Sequence, residues 1–247
     1  MIGVICSSNK PHFWKRLHYS LSQNKEEFNL CMVGPNPPDY ELPKNLKYIQ
    51  SNVKPAQCWF IASHNVEGDF ICYIGDDAIC DAGSLDSMVG TVKSSKNIMA
   101  SVVSVDRNPY DLPIYYAGVP RIVKIKYPLP HVCVMYKQAF DDINIDRGFL
   151  CLRFIEDMAL ELISRGGQVV IDKHHTYVEV DIPPQQERLV SSASGICDYG
   201  YFLNMWLNPI SDDVHEIRSI RAKPIEPFVY NDTVLTVSQG ATYPTWP

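Results

Sequence analysis

The chain has no apolar run approaching the length needed to span a bilayer, no CxxC pair and no other metal-like cysteine spacing, although it holds eight cysteines in 247 residues. The first absence sets aside a membrane-spanning helix, and the second sets aside zinc ribbons and thioredoxin-type redox motifs. Cysteines 6, 31, 58, 72, 80, 133, 151 and 197 fall mostly inside apolar segments, which predicts reduced core thiols and no disulfide framework. GxSxG, HExxH and P-loop patterns are also missing, so Ser-dependent hydrolysis, zincin chemistry and P-loop phosphoryl transfer have no support. A formal net charge of −6 gives no electrostatic footprint for a nucleic-acid binder. The one basic stretch, RIVKIK at 121–126, reads equally well as an alternating, solvated edge strand. No internal repeat or low-complexity tract is present. The opening MIGVICSSNK moves straight into a strand-like run without a signal-peptide pattern, so the expectation is an intracellular, cytoplasmic protein.

What is present is a globular composition, 46% hydrophobic and 20% charged, sufficient for a sizeable core. Residues 2–6 and 28–33 read as buried strands, and 11–23 carries Phe13, Leu17 and Leu21 at helical spacing. Pro55 opens a helix that runs through Val66 and stops at Gly68. The run FICY follows, then a helix at 82–92 and a strand at 98–105. Between Asp106 and Pro130 the pattern dissolves into a Pro- and Tyr-rich stretch, which predicts a long functional or flexible loop. A strand at 131–136, helices at 138–143 and 154–165, and short strands at 169–172 and 176–180 complete the regular part, the second helix reading as amphipathic. This alternation predicts an α/β fold, a mostly parallel central sheet with helices on both faces.

The stretch FICYIGDDAIC, 70–80, delivers two adjacent carboxylates, Asp76 and Asp77, where a strand should end. Hard divalent cations such as Mg²⁺ and Mn²⁺ prefer oxygen ligands and are commonly held by one or two carboxylates together with substrate phosphates. Turn chemistry alone also explains Gly-Asp-Asp. In open sheets ligands bind beyond the carboxyl ends of the strands, so Ser7, Ser8 and Asn9 after the first strand should face the same crevice as the acidic pair. A second acidic pair, Glu156-Asp157, opens the helix FIEDMALELISR. Negative charge at a helix N-terminus is favourable without any function.

Taken in order, the strand and Ser-Asn loop, the segment EGDFICYIGDDAICDAGSLDSMV and then FIEDMALELISRGGQVVI resemble a nucleotide-sugar glycosyltransferase of the GT-A fold, in the manner of family 2. The resemblance covers residues 1–181 and implies a single Rossmann-like domain binding a nucleoside-diphosphate sugar. It makes Asp77 the ligand of a divalent cation, Mn²⁺ or Mg²⁺, and Asp76 a ribose contact or second metal contact. It makes Asp157, or its neighbour Glu156, the base that deprotonates an acceptor hydroxyl in an inverting displacement. A metal neutralises charge on the departing diphosphate, and a base needs hydrogen-bond reach to the hydroxyl it activates.

Three departures from the family pattern matter. Cys58-Trp59-Phe60 stands where relatives carry a basic contact, so Lys54 is the expected phosphate partner, and Asp39 after the second strand could reach the nucleotide base. A third metal ligand falls to His174 or His175 by residue type, or to Glu179 or Asp181 by spacing. Residues 182–247 change character and read as a mostly helical or irregular extension in which Tyr201, Trp206 and neighbouring aromatics cover the crevice or form a dimer contact. Two rival readings stand beside this one. A Gly-Asp-Asp turn also resembles the metal site of polymerases, against which stand the acidic charge and the preceding strand-helix alternation. A catalytically silent sugar-nucleotide or protein-binding module is the other. The acceptor, whether glycan, lipid, protein or modified nucleobase, cannot be read.

Overall fold

The structure, a computed structural model, describes residues 1–106, 114–116, 130–146, 148–179, 198, 200–202 and 205. The expectations for 121–126, for Asp181, for Trp206 and for most of 182–247 lie outside them. Among the described residues nine strands form one mixed sheet in the order β3-β2-β1-β4-β8-β6-β9-β5, with β7 (Ile114–Tyr116) paired to β6 (Ile98–Asp106). The first half is parallel throughout: β1 (Ile2–Ser7) lies between β2 (Phe28–Gly34) and β4 (Phe70–Tyr73), and β3 (Leu46–Gln50) extends the edge beyond β2. Antiparallel pairing enters with β8 (Cys133–Tyr136), which runs against both β4 and β6. It returns where β5 (Ala78–Cys80) meets β9 (Gln168–Glu179).

Strand side chains alternate between faces, and here both faces are covered. Ile5, Cys31, Val33, Ile71, Cys133 and Met135 point to one side, into a core shared with α2 (Pro55–Ser63), α4 (Lys137–Ile143) and α5 (Phe154–Ser164). Val4, Cys6, Leu30, Met32, Cys72 and Val134 point to the other, against α1 (Trp14–Leu21) and α3 (Ser84–Lys93). The continuous apolar character of IGVIC and FICY is the signature of strands buried on both faces. Phe202 and Met205, beyond the expected boundary at 181, belong to the core cluster around α5.

Several expectations shift. β3 and β5 are additional strands, the first short and half-buried, the second only three residues long. The helix at 154–165 is not amphipathic: nine consecutive residues from Phe154 to Leu162 are buried, so α5 is enclosed on every side. The two strands expected at 169–172 and 176–180 are one, β9, which pairs with β6 as Val102 with Asp172 and then Val103 with Thr176. Residues 173–175 are thereby set outside the ladder as a bulge. No helix among the described residues is long and apolar enough to cross a membrane.

Seven cysteines, 6, 31, 58, 72, 80, 133 and 151, are free and buried. Burial pushes the Cys80 and Cys133 thiols up to about 12 and those of Cys31 and Cys151 to about 11. Thiolate is the reactive form. Titration of the native chain with a disulfide reagent should therefore consume at most the one equivalent attributable to Cys197, and all eight only in denaturant.

Candidate functional site

The parallel register of β1 against β4, Ile5 opposite Tyr73, brings the turns that follow both strands to the same end of the sheet. There a single hydroxyl joins them. Ser8 Oγ donates to Asp76 Oδ2 at 2.6 Å and accepts from Trp14 Nε1 at 2.5 Å and from the Lys10 N–H at 3.2 Å. One donor and two acceptor positions exhaust what a hydroxyl offers. Ser8 is 3% exposed, so it acts as a bracket beneath Asp76 and presents no free polar edge. The close approach extends to β2: a Cβ on Gly34 would stand 1.6 Å from the Ser8 carbonyl oxygen, which only glycine permits.

Asp76 is 8% exposed, and its carboxyl is pushed up to about 6, first by burial and then by the negative charge of Asp77, against the opposing pull of Ser8 and Lys10. Asp77 sits further out, its side chain 24% exposed, with the Lys10 ammonium 3.4 Å from Oδ2. The Arg16 guanidinium donates to the Asp77 backbone carbonyl at 3.3 Å and lies over the Phe13 ring. Sequence reasoning missed Lys10, Trp14 and Arg16. Lys10 directly follows the Ser-Asn turn, and Trp14 and Arg16 share the helix packed beneath it, so the local signal was there once the turn was placed.

The other expected residues distribute unevenly. Ser7 is half-buried, and its hydroxyl pulls the Cys58 thiol's pKa down against the rise from burial. Asn9 is exposed and its carbonyl accepts from Asn36 Nδ2 at 2.8 Å. Asp39 and Lys54 are exposed, and among the described residues no hydrogen bond joins either to the acidic pair. Lys10 instead occupies the basic position beside Asp77.

Glu156 and Asp157 come to the same end of the sheet through aromatic packing. Phe154, at the start of α5, meets Trp59 and Tyr73 with ring centroids 5.2 Å apart in each case, and Trp59 Nε1 donates to the Ile74 carbonyl at 3.4 Å. Ile74 stands two residues before Asp76. Glu156 forms a 2.6 Å ion pair with Arg153 and is 8% exposed, whereas Asp157 is fully enclosed.

Of the third-ligand alternatives, the histidines are held elsewhere. His175 Nδ1 lies 2.6 Å from Asp172 Oδ2, and the His174 N–H donates to Asp172 Oδ1 at 2.8 Å. Thr176, the next residue, bonds Asp81 at the far end of β5 from the acidic turn. Pairing of Ala78 with Glu179 puts the backbone of Glu179 next to Asp77. No group of three metal-type side chains forms among the described residues.

This architecture is the GT-A fold of nucleotide-sugar glycosyltransferases. The chain is similar to residues 1–349 of S. aureus TarS, 14% identical with a TM-score of 0.52 over 79% of this chain and 64% of that one. It is similar also to GalNAc-T7, solved with UDP, GalNAc and Mn²⁺, at 10% identity and a TM-score of 0.63 over 83% of this chain and 48% of that one. A TarS complex with UDP-GlcNAc aligns at a TM-score of 0.50 and 14% identity over 72% of this chain and 58% of that one. The chain thus spans less than two thirds of each of these structures. No protein-family profile and no curated protein matches it in sequence.

Two outcomes follow from the geometry. Ser8→Ala leaves a buried carboxylate and a buried indole N–H without their shared partner, which should cost about 1–3 kcal/mol in urea unfolding. The second concerns Asp172. Burial would raise its pKa, but donation from Ser87, from the His174 N–H and from His175 outweighs it and holds the carboxyl below the usual carboxylate range. A lowered folded pKa contributes stability above the unfolded value of about 3.9, lost as pH falls through the folded one. Asp172→Asn should lower stability at neutral pH and flatten the acid limb below about pH 4 in pH-stepped urea titrations.

Proposed function

We propose that the chain transfers a sugar from a nucleoside-diphosphate donor to an acceptor hydroxyl. The observation that carries this reading is the convergence, within a GT-A fold, of the clamped Asp76-Asp77 turn and the Glu156-Asp157 helix start at one end of the sheet. The acidic pair suits a divalent cation, Mn²⁺ or Mg²⁺: burial and the charge of Asp77 have left Asp76 short of counter-charge, and the Asp77 side chain is partly exposed. Asp77, with Asp76 behind it, would hold that ion. When bound, it supplies neutralisation of charge on the leaving diphosphate. Lys10, already beside Asp77, is placed to share that task with a nucleotide phosphate, and Arg16 fixes the turn from below.

On the acceptor side, one carboxylate of the second pair takes the proton of the attacking hydroxyl in a single inverting displacement. Asp157 stands in the position that the resemblance gives to the base. Glu156, 8% exposed, is oriented by its ion pair with Arg153. In this reading residues 1–181 carry the donor site and the catalytic carboxylates, and residues 182–247 serve the acceptor side or an oligomer contact.

Release of nucleoside diphosphate from a panel of nucleotide sugars, with and without Mn²⁺, tests the reading directly. One donor is expected to turn over in a metal-dependent way, and Asp77→Asn should abolish release while circular dichroism stays native. Of Glu156→Gln and Asp157→Asn, the variant of the true base should lose about 10²–10⁴ in kcat with donor KM little changed. A native fold that binds a donor without turning it over would move the assignment to a silent sugar-nucleotide-binding module, and one that binds none would move it to a protein-binding module.

A further inference from the structure

Helix α5 begins without a side-chain cap of its own; Arg153, left-handed at φ 68°, leads into it. The residues just before present a row of backbone N–H groups, which must find acceptors when buried. One carboxylate takes them all. Asp198, 1% exposed, accepts from the Leu150 N–H at 2.8 Å through one oxygen and from those of Cys151 and Leu152 at 2.6 and 2.7 Å through the other. On the other side the Leu150 carbonyl accepts from the Ala56 N–H in the first turn of α2 at 3.0 Å. Residues 150–152 are therefore held between α2 and a side chain 46–48 positions further along the chain.

Successive N–H groups converging on one anion make the concavity that phosphate-binding loops use. Here the anion comes from within. Bonds from N–H to a carboxylate are roughly twice as strong as neutral ones, and a buried carboxylate is tolerated only while such donors face it. The same segment is anchored again nearby: Tyr201 Oη donates to Asp146 Oδ2 at 3.0 Å, its ring meets Phe149 edge-on at 4.9 Å, and Phe202 and Met205 share the core with Phe154.

We infer that Asp198 is the internal anionic ligand that sets the 150–153 loop, and through it the direction in which the first turn of α5 presents Glu156 and Asp157. It is a positioning residue. The consequence for catalysis rests on the acceptor-side role proposed for those two carboxylates; the consequence for the loop does not.

The test compares full-length Asp198→Ala and Asp198→Asn with Met205→Ala, which trims the same segment's core contact without touching the amides. Peptide-resolved hydrogen exchange follows residues 150–157. Asp198→Ala should speed exchange there by about tenfold or more, and added formate, occupying the emptied concavity, should slow it again. Asp198→Asn should fall between, since its amide keeps one acceptor oxygen, and Met205→Ala should not respond to formate. In the transfer assay, Asp198→Ala should lower kcat with donor KM unchanged, and formate should recover part of it. Exchange at 150–157 that stays unchanged, or that rises evenly over the chain and ignores formate, would overturn the inference. Faster, formate-sensitive exchange with undiminished kcat would overturn the link from the loop to Glu156 and Asp157 while leaving Asp198 as the ligand of the loop. A wild-type chain inactive with every donor would count against the proposed function alone, leaving the exchange result to decide the loop.

Discussion

A hydroxyl can donate once and accept twice, and at Ser8 all three positions are spoken for. That saturation is the constraint on which the acidic turn depends. Asp76 can sit nearly enclosed, with a second carboxylate beside it, only because a donor is fixed at 2.6 Å. The donor is fixed because Trp14 and the Lys10 backbone hold its oxygen from the other side. Helix α1, the turn after β1 and the turn after β4 are thus one mechanical unit, and the polar surface it offers is the outer carboxylate, Asp77, with its adjoining ammonium. A buried polar group that is fully satisfied rigidifies its surroundings, whereas a partly satisfied one loosens them.

The unit could not exist on a sheet with one wet face. Parallel strands carry their loops to a common end, and their burial on both sides demands helices above and below. Here α2 and α5 close one side and α1 and α3 the other. The second acidic pair is brought to the same end of the sheet by the packing of Trp59, Tyr73 and Phe154, with the amides just before α5 held by Asp198. Hydrogen bonding thus dominates around the first acidic pair, and aromatic packing brings up the second.

The elements with strong apolar runs and clear stop signals were legible in the sequence: β1, β2, β4 and the helices, each within a few residues. Asp76 and Asp77 were legible because charge at the end of an apolar run has few reasons to be there. β3 and β5 were not, since one is half-buried and the other too short to show a period. The environment of α5 was misread, because Glu156, Asp157 and Glu161 look like a polar face until the structure encloses them. Strand order alone brought Ser8 and Asp76 together across 68 residues, but other partnerships over long separations were out of reach: nothing local in the sequence ties Asp198 to Leu150, and nothing near Lys54 says that Lys10 would take its expected place. The bulge was half visible, since two strands were expected where one strand sets three residues aside.

That set-aside has a consequence for how the chain can change. Outside the ladder, a residue gained or lost among 173–175 is absorbed by a segment with no opposite number in β6. Inside it, the same change between Thr176 and Glu179 would turn every following side chain to the opposite face. The surface around His174 is thus uncoupled in register from the acidic turn, a site where sequence can be grafted or lengthened while Glu179 keeps its place opposite Ala78.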